Sequence, residues 1–350
     1  MPLTLTRLSD ALSPDADTVI DVRSPAEFAE DHIPGAINLP ALSNAERAEV
    51  GTIYKQVSPF DARRIGAAMV ARNVADHVSG PLADRPGSWR PLVYCWRGGQ
   101  RSGSVALILA QIGWRAETIR GGYQSYRRLV HERLYDEPLP HRLVLLDGDT
   151  GTAKTAILTA LGERGVQTLD LEGLARHRGS LLGAMEGGQP AQKGFESALA
   201  AALEPLDPGR ITVLEAESSK IGRLNLPKQL WARMLAAPRI VVAAPLAARA
   251  EYLERAYADV IADPAVLRDR LAPLRRLRGH AIVDEWSGLI DAGAFRDLAA
   301  RLMQDHYDPA YARSRRIDTR EVLATVEVPR LDDAGIAGAA DEVVAILRNL

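Results

Sequence analysis

The stretch Leu92–Ser102, LVYCWRGGQRS, followed closely by SVALILAQIG at 104–113, decides how this chain is read. The apolar run Leu92-Val93-Tyr94 predicts a strand, Gly98 and Gly99 a loop, and the apolar periodicity after Arg101 a helix. Strand, glycine loop and helix make an anion cradle. Loop and first-turn N–H groups converge on one point above the positive end of the helix dipole. Cys95 opens that loop, and a thiol placed there is acidified. With an ordinary pKa near ~8.5, about 3% of a thiol is thiolate at pH 7, whereas a drop of about two units makes thiolate the main species. The Cys-x5-Arg spacing, Cys95 to Arg101, adds a cation where a bound oxyanion or persulfide would sit. Cys95 is the chain's one cysteine. Whatever it picks up must therefore pass to an outside acceptor or be released by an outside thiol. The plainer reading is a buried structural thiol at a strand end. The Gly-Gly pair and the two arginines, Arg97 and Arg101, argue against it.

The 350 residues suffice for two domains, each with its own core. Apolar residues at 47% and charged residues at 25% fit a soluble globular protein. No apolar run reaches the length of a membrane span, and the start MPLTLTRLSDALSPD lacks a signal peptide's basic and apolar regions. With one cysteine, this predicts a reducing, cytoplasmic setting without a membrane partner. The formal net charge of −2 does not mark a nucleic-acid binder. Its distribution is less neutral: Lys220–His280 holds twelve Lys or Arg against five Asp or Glu, with no acid between Glu217 and Glu251. Such an excess could dock a phosphate backbone or form a solvated arginine-rich face.

Upstream, Thr18–Arg23 predicts a short buried strand ended by Ser24-Pro25, Ala26-Glu27-Phe28 the start of a helix, and His32–Pro40 a turn into another strand. DVRSPAEFAEDHIPGAINLP followed by VYCWRGGQRS resembles the rhodanese family over roughly residues 5–135. The resemblance implies an α/β domain with a parallel sheet and Cys95 as the sulfur- or selenium-carrying nucleophile. Glu117–Tyr123 reads as the last strand and its glycine turn. Asp21 and Arg23 read as a structural pair, and His32 as a turn residue. Residues 51–73 are longer than a rhodanese loop needs. There Ile65, Met69 and Val70 suit an amphipathic helix, and Lys55, Arg63, Arg64 and Arg72 an RNA- or phosphate-facing side. An added structural helix explains the stretch equally well.

After an acidic linker, Tyr135–Pro140, the chain restarts with the apolar run Leu143–Leu146, then GDTGTAKT at 148–155 and a helix. This is the phosphate-binding P-loop pattern. N–H groups of Gly148, Asp149, Thr150, Gly151, Thr152, Ala153, Lys154 and Thr155 would wrap a diphosphate. Lys154 would neutralise its terminal oxygens, and Thr155 could ligate Mg²⁺. Ala153 replaces the usual glycine before the lysine, and its methyl is expected to narrow or reshape the cradle, against ordinary ATP hydrolysis. Ile211–Glu215 predicts a buried strand ending in acids. Glu215 or Glu217 would serve there as acid or base, or hold Mg²⁺ or water, or simply pair with Lys220 and Arg223. Arg239–Ala243 predicts a further strand, and AARAEYLERAYADVI a helix beside it. The expected fold is thus α/β. A rhodanese-like domain over 1–136 is followed over 137–350 by a P-loop NTPase-like domain with a helical C-terminal part.

CWRGGQRS, GGYQSYR at 121–127, GDTGTAKT, EAESSKIGRLNLP at 215–227 and HYDPAYARS at 306–314 together resemble the tRNA 2-selenouridine synthase family along nearly the whole chain. The resemblance implies an enzyme acting on wobble 2-thiouridine of tRNA. Its sulfur is alkylated by geranyl diphosphate, and selenium from selenophosphate then displaces geranylthiol. These are co-substrates, and no tightly bound cofactor is expected. The selenophosphate could be delivered by selenophosphate synthetase. Cys95 would serve the second step, with Arg97 and Arg101 holding selenophosphate oxygens in a loop completed by Trp96, Gly98, Gly99, Gln100 and Ser102. Lys154 would serve the first. A ten-carbon tail wants an apolar groove, worth on the order of 8 kcal/mol gross at ~0.8 kcal/mol per carbon. The tRNA would lie on Lys220, Arg223, Arg275, Arg276 and Arg278, with Tyr307, Tyr311 and Arg313. HYDPAYARS also reads as a C-terminal packing motif.

Two other readings compete. One is a rhodanese sulfurtransferase fused to an ATP-dependent kinase, which Ala153 opposes. The other is an RNA- or protein-binding module with a sensory P-loop, which leaves the Cys-x5-Arg loop unexplained. The loop also resembles that of dual-specificity phosphatases, but no His precedes Cys95 and no general-acid Asp follows.

Overall fold

A computed structural model describes residues 2–12 and 15–350, the side chains at 314–317 excepted. The chain divides into two units, Met1–Pro138 with Pro190–Pro205, and Leu139–Gln189 with Leu206–Leu350. Residues 190–205, expected in the second domain, thus group with the first. Their helix, Gln192–Leu203, buries Phe195, Leu199, Ala200 and Leu203. Ser197 Oγ donates to Asp31 Oδ2 at 2.9 Å, and Lys193 pairs with Glu30 at 2.7 Å. An amphipathic helix has the same pattern wherever it docks, so sequence alone places it with its chain neighbours.

The first unit is built on a parallel sheet of β1 (Thr18–Asp21), β2 (Ile37–Asn38), β3 (Pro91–Tyr94) and β4 (Glu117–Thr118), ordered β2-β1-β3-β4. β1 stops where Asp21 turns to a polar task. Its carboxylate takes Arg23 Nη2 at 2.6 Å, both side chains almost fully buried, so the pair is structural as expected. Ser24 then donates its N–H and hydroxyl to Glu27 and opens the helix Pro25–Glu30. The stretch singled out at 51–73 spans two helices, Asn44–Gln56 and Pro59–Ser79. Ser58 Oγ caps the second by accepting from the Asp61 N–H at 3.2 Å. Ala62, Gly66, Val70 and Val74, each four apart, form its buried row. Val70 and Val74 join Ile20, Val93 and Leu109 in the core, worth roughly 1.5–3 kcal/mol for each large apolar side chain. Lys55, Arg63, Arg64 and Arg72 stay exposed.

The second unit holds a parallel sheet of β5 (Arg142–Gly148), β6 (Gln167–Leu169), β7 (Ile211–Glu215), β10 (Arg239–Ala243) and β11 (Val322–Glu327), ordered β11-β10-β5-β7-β6. A small hairpin, β8 (Lys220–Ile221) and β9 (Leu224–Asn225), follows β7. β5 is central, and its carboxyl end feeds the P-loop, where ligands of open α/β sheets bind. β11 lies within the part expected to be helical. It is a half-exposed edge strand, so it lacks the continuous apolar run that marks its buried neighbours. Leu267, Leu271, Trp286, Ile290, Leu298 and Leu302 form a separate helical core. The helix expected over AARAEYLERAYADVI is broken at Tyr257 into Leu246–Ala256 and Ala258–Ile261. Among the described residues, no helix is long and apolar enough to cross a membrane.

Candidate active site

β3 delivers Cys95 into a loop that closes on the helix Gln100–Ile112, with Gly99 at its N-cap. The loop is held from behind. Tyr123 N–H donates to Cys95 O at 2.8 Å and Gln124 N–H to Trp96 O at 3.1 Å. Gly98, at φ 63°, has no room for a side chain, because a Cβ would strike Ile119 O and the Gly121 and Gly122 nitrogens. Cys95 is buried, 4% exposed, and packs with Val93 and Val105 in the hydrophobic core, the placement that the plainer structural reading expects. Its Sγ lies 3.2 Å from Ser102 Oγ. Burial pushes the thiol up, but the Ser102 hydroxyl, the Ser102 and Gly99 N–H groups and the Arg101 charge outweigh it and hold the thiol below its ordinary value. The direction is the one expected from the loop. Ser102→Ala should move the pH midpoint of Cys95 alkylation by iodoacetamide upward by about one unit, since a hydrogen bond to a charged group is worth about 1.5–3 kcal/mol. An unshifted profile would assign the acidity elsewhere.

Arg97 is exposed, and Arg101 is half-buried with Nη1 held at 3.0 Å by Glu27 Oε2, which also takes Arg47 Nε at 2.9 Å. Glu27 was not singled out by sequence, and neither was Asp31. Asp31 Oδ2 accepts from Tyr123 OH at 2.7 Å and from Ser197, tying the support of the thiol loop to the helix Gln192–Leu203. His32 stacks on Phe28 and bonds its carbonyl, a turn role as read.

In the second unit, Gly148–Thr155 wraps the start of the helix Lys154–Glu163. Lys154 Nζ donates to Gly148 O at 3.0 Å and Asp149 O at 3.4 Å, folded into the loop it would leave for a phosphate. Ala153 takes φ 59°, the glycine conformation, costing roughly 1–2 kcal/mol. Its side chain is 3% exposed and packs with Ile157 and Leu158 in the core. The alanine thus carries backbone strain at a position that also lines the P-loop cavity. Arg249, 5% exposed, clamps the loop by donating to Thr150 O at 3.0 Å while held by Asp308 at 2.7 Å.

Thr150–Thr155 line a cavity of about 510 Å³ together with Asp170, Glu172, Arg178, Glu217, Tyr307 and Tyr311. Arg178 pairs with Asp259 through Nη2 at 3.0 Å and lies 4.7 Å from the Tyr257 ring, while its Nη1 is buried with no hydrogen-bond partner. A guanidinium with an idle donor lining a P-loop cavity is a candidate contact for an anion, unmarked in sequence. One side of the cavity is apolar, with Leu181, Met185, Leu253 and Ala256. A smaller apolar cavity of about 60 Å³ shares Thr150, Ser180, Leu253, Tyr257 and Tyr307 with it.

Carboxylates crowd the far side. A Cβ at Gly179 would lie 2.8 Å from Glu172 Oε1 and 2.9 Å from Glu217 Oε1, so the two acids converge there. Glu172 Oε2 accepts from Thr155 Oγ1 at 3.2 Å. Burial, then the neighbouring acids, raises Glu172; burial also raises Glu215. Glu215 is fully buried and both its oxygens lack a partner. The described residues contain no cluster of three or more His, Cys, Asp or Glu able to hold a metal by themselves. A hydrated Mg²⁺ needs only one or two protein oxygens beside phosphate ligands, and the Thr155 hydroxyl with the orphaned Glu215 carboxylate fits that need.

The residues expected to meet RNA are scattered in role. Lys220, Arg223, Arg276 and Arg313 are exposed, and Arg223 Nη2 bonds Gln189 O at 2.6 Å. Arg275 is paired with Asp284 at 2.6 Å, and Arg278 donates to His306 Nδ1 at 3.1 Å. Tyr307 and Tyr311 line the P-loop cavity. Arg239 and Arg249, counted in the basic excess, are interior: Arg239 Nη1 bonds Asp147 at 2.7 Å and Asp318 at 3.1 Å.

A parallel-sheet unit with an acidified thiol loop, joined in one chain to a P-loop unit, defines a rhodanese–P-loop enzyme. A rhodanese-like domain matches residues 4–129, and a tRNA 2-selenouridine synthase AAA domain matches residues 141–278. Proteins named tRNA 2-selenouridine synthase are similar along most of the chain. That of Shewanella loihica is 33% identical, covering 84% of this chain and 86% of its own. That of Hahella chejuensis is 33% identical, covering 88% and 89%. That of Aeromonas salmonicida is 38% identical over 68% and 64%. The chain belongs to the tRNA 2-selenouridine synthase family.

Proposed function

We propose that the chain converts wobble 2-thiouridine of tRNA to 2-selenouridine through S-geranyl-2-thiouridine, using geranyl diphosphate at the P-loop and selenophosphate at Cys95. The observation that carries the reading is the cavity over the P-loop, with Lys154 and Arg178 among its polar lining and an apolar side formed by Leu181, Met185, Leu253 and Ala256. A donor with an anionic head and a hydrocarbon tail suits both sides. In the first step the thiocarbonyl sulfur attacks C1 of the donor, the C1–O bond breaks, and the diphosphate leaves onto the P-loop N–H groups, Lys154 and Arg178. The N3 proton of the base must leave as sulfur is alkylated, and Glu217 in the cavity is its acceptor. Mg²⁺, held by Thr155 and Glu215, would screen the diphosphate charge.

In the second step C2 exchanges sulfur for selenium and geranylthiol departs. Loading selenium from selenophosphate onto sulfur as an S–Se bond would need an oxidant. The redox-neutral route has the Cys95 thiolate displace geranylthiol at C2 and be displaced in turn by the selenium of selenophosphate, whose phosphoryl group passes to water. Arg101 and Arg97 hold its oxygens.

Mass spectrometry of tRNA nucleosides after incubation with each donor separately tests the reading. Geranyl diphosphate alone should give the S-geranyl nucleoside, and selenouridine should appear only when both donors are supplied. Selenouridine without the prenyl donor would overturn the order of steps, and ATP-dependent transfer indifferent to it would favour the sulfurtransferase–kinase. Ala256→Phe, which fills the apolar side of the cavity, should raise KM for geranyl diphosphate about tenfold while inorganic diphosphate inhibits as before. Equal losses for both would place the tail elsewhere.

A further inference from the structure

The helix Pro59–Ser79 buries the row Ala62, Gly66, Val70 and Val74, while the helix Asn44–Gln56 beside it has no buried residue. With the first turns of the helix Gln100–Ile112 they border a groove of about 500 Å³, whose lining includes Val50, Tyr54, Arg63, Ala67, Arg101 and Leu107. Tyr54 is 54% exposed and Phe60 is 66% exposed. Over both helices five cations, Arg47, Lys55, Arg63, Arg64 and Arg72, stand against four acids, and of these acids Asp61 alone lies between Val50 and Val74. Lys55, Arg63 and Arg64 are exposed, and the Arg64–Asp61 pair at 3.3 Å is itself open to solvent. Phe60 and the arginines 63 and 64 lie three and four residues apart, hence on one face. Arg72, nine residues from Arg63, stands on the other side of the helix, where its charge acts on Glu46.

Exposed rings interleaved with cations are how proteins grip single-stranded nucleic acid, the bases stacking and the phosphates pairing. The groove also reaches the chemistry, because Arg101 both lines it and acts on the Cys95 thiol. We propose that this face docks the anticodon loop of the substrate RNA, Tyr54 and Phe60 stacking on bases while Lys55, Arg63 and Arg64 meet phosphates. This rests on the functional reading above and adds a binding surface in the rhodanese unit, apart from the 220–280 arginines. The insertion that sequence marked as foreign to a rhodanese loop thereby has both a structural face and a recognition face.

The test is binding of a fluorescent anticodon stem–loop to the full-length protein over a range of salt concentrations. Arg63→Glu and Arg64→Glu together should weaken binding at least about tenfold. They should also lower the slope of log K against log salt by about 1.4, at ~0.7 per single-strand phosphate. Tyr54→Ala, a milder change at an exposed site, should cost about tenfold in affinity and leave the salt slope unchanged. Both variants should keep the wild-type rate of Cys95 alkylation, which reports an intact loop. Wild-type affinity and slope in the double variant, with wild-type protein binding and converting tRNA, would overturn the surface alone. A wild-type protein that neither binds nor converts the RNA would overturn the functional reading with it.

Discussion

Cys95→Ala should abolish selenium insertion, to below about one-thousandth of the wild-type rate, while geranylation of the same tRNA proceeds unchanged. The size of the loss follows from the chain having no substitute: Cys95 is its sole cysteine, and Ser102 is the group that polarises the sulfur. The selectivity follows from the division of labour. The thiol loop is built by β3, the helix Gln100–Ile112 and the backbone at Gly98 and Tyr123, all within the first unit. The diphosphate cradle is built within the second. Alanine removes one sulfur from a site only 4% exposed, so the stability loss is about 1 kcal/mol and the fold persists. Quantifying S-geranyl-2-thiouridine and 2-selenouridine in the same digest separates the outcomes. Accumulated geranyl nucleoside with no selenouridine is expected. Persistent selenouridine would remove Cys95 from the reaction, and loss of both products would mean that the thiol loop serves the first step too.

The same two cradles show which parts of the site a sequence can express. CWRGGQRS and GDTGTAKT are continuous, and each couples a strand end, a glycine demanded by backbone crowding and a helix start, so spacing alone locates Cys95 and Lys154. Arg178 and Glu172 reach the P-loop cavity from the segment beyond the P-loop helix, and nothing local distinguishes them from surface residues. Charge counting overstates the exposed basic excess for a related reason. Arg239 and Arg249 add to the basic total of 220–280, yet they are spent inside the unit on Asp147, Asp318 and Asp308. The helix Gln192–Leu203 shows the limit for domain boundaries, since its apolar row is compatible with either core and only the Asp31–Ser197 and Glu30–Lys193 contacts assign it. Ala153 was correctly marked as a departure from the glycine pattern. Its consequence lies in a left-handed backbone angle, which no one-letter code carries.

Lys154→Ala should reduce geranyl transfer about a hundred- to a thousandfold, the usual cost of removing one preorganised group from a developing anion. In the absence of ligand, Lys154 Nζ rests on the Gly148 and Asp149 carbonyls, so its charge is already positioned at the loop and needs only to turn toward the leaving diphosphate. Two cations line that cavity, and they are not equivalent. Arg178 shares its charge with Asp259 and stacks by Tyr257, offering the incoming anion the unpartnered Nη1, whereas Lys154 offers a whole ammonium. Arg178→Ala should therefore act mainly on KM for geranyl diphosphate, and Lys154→Ala mainly on kcat, because the lysine meets charge that appears only as the C1–O bond breaks. Pre-formed S-geranyl-tRNA supplied to Lys154→Ala should be selenated at the wild-type rate. If that rescue fails, or if geranyl transfer survives the lysine's removal, the P-loop is not the site at which diphosphate departs.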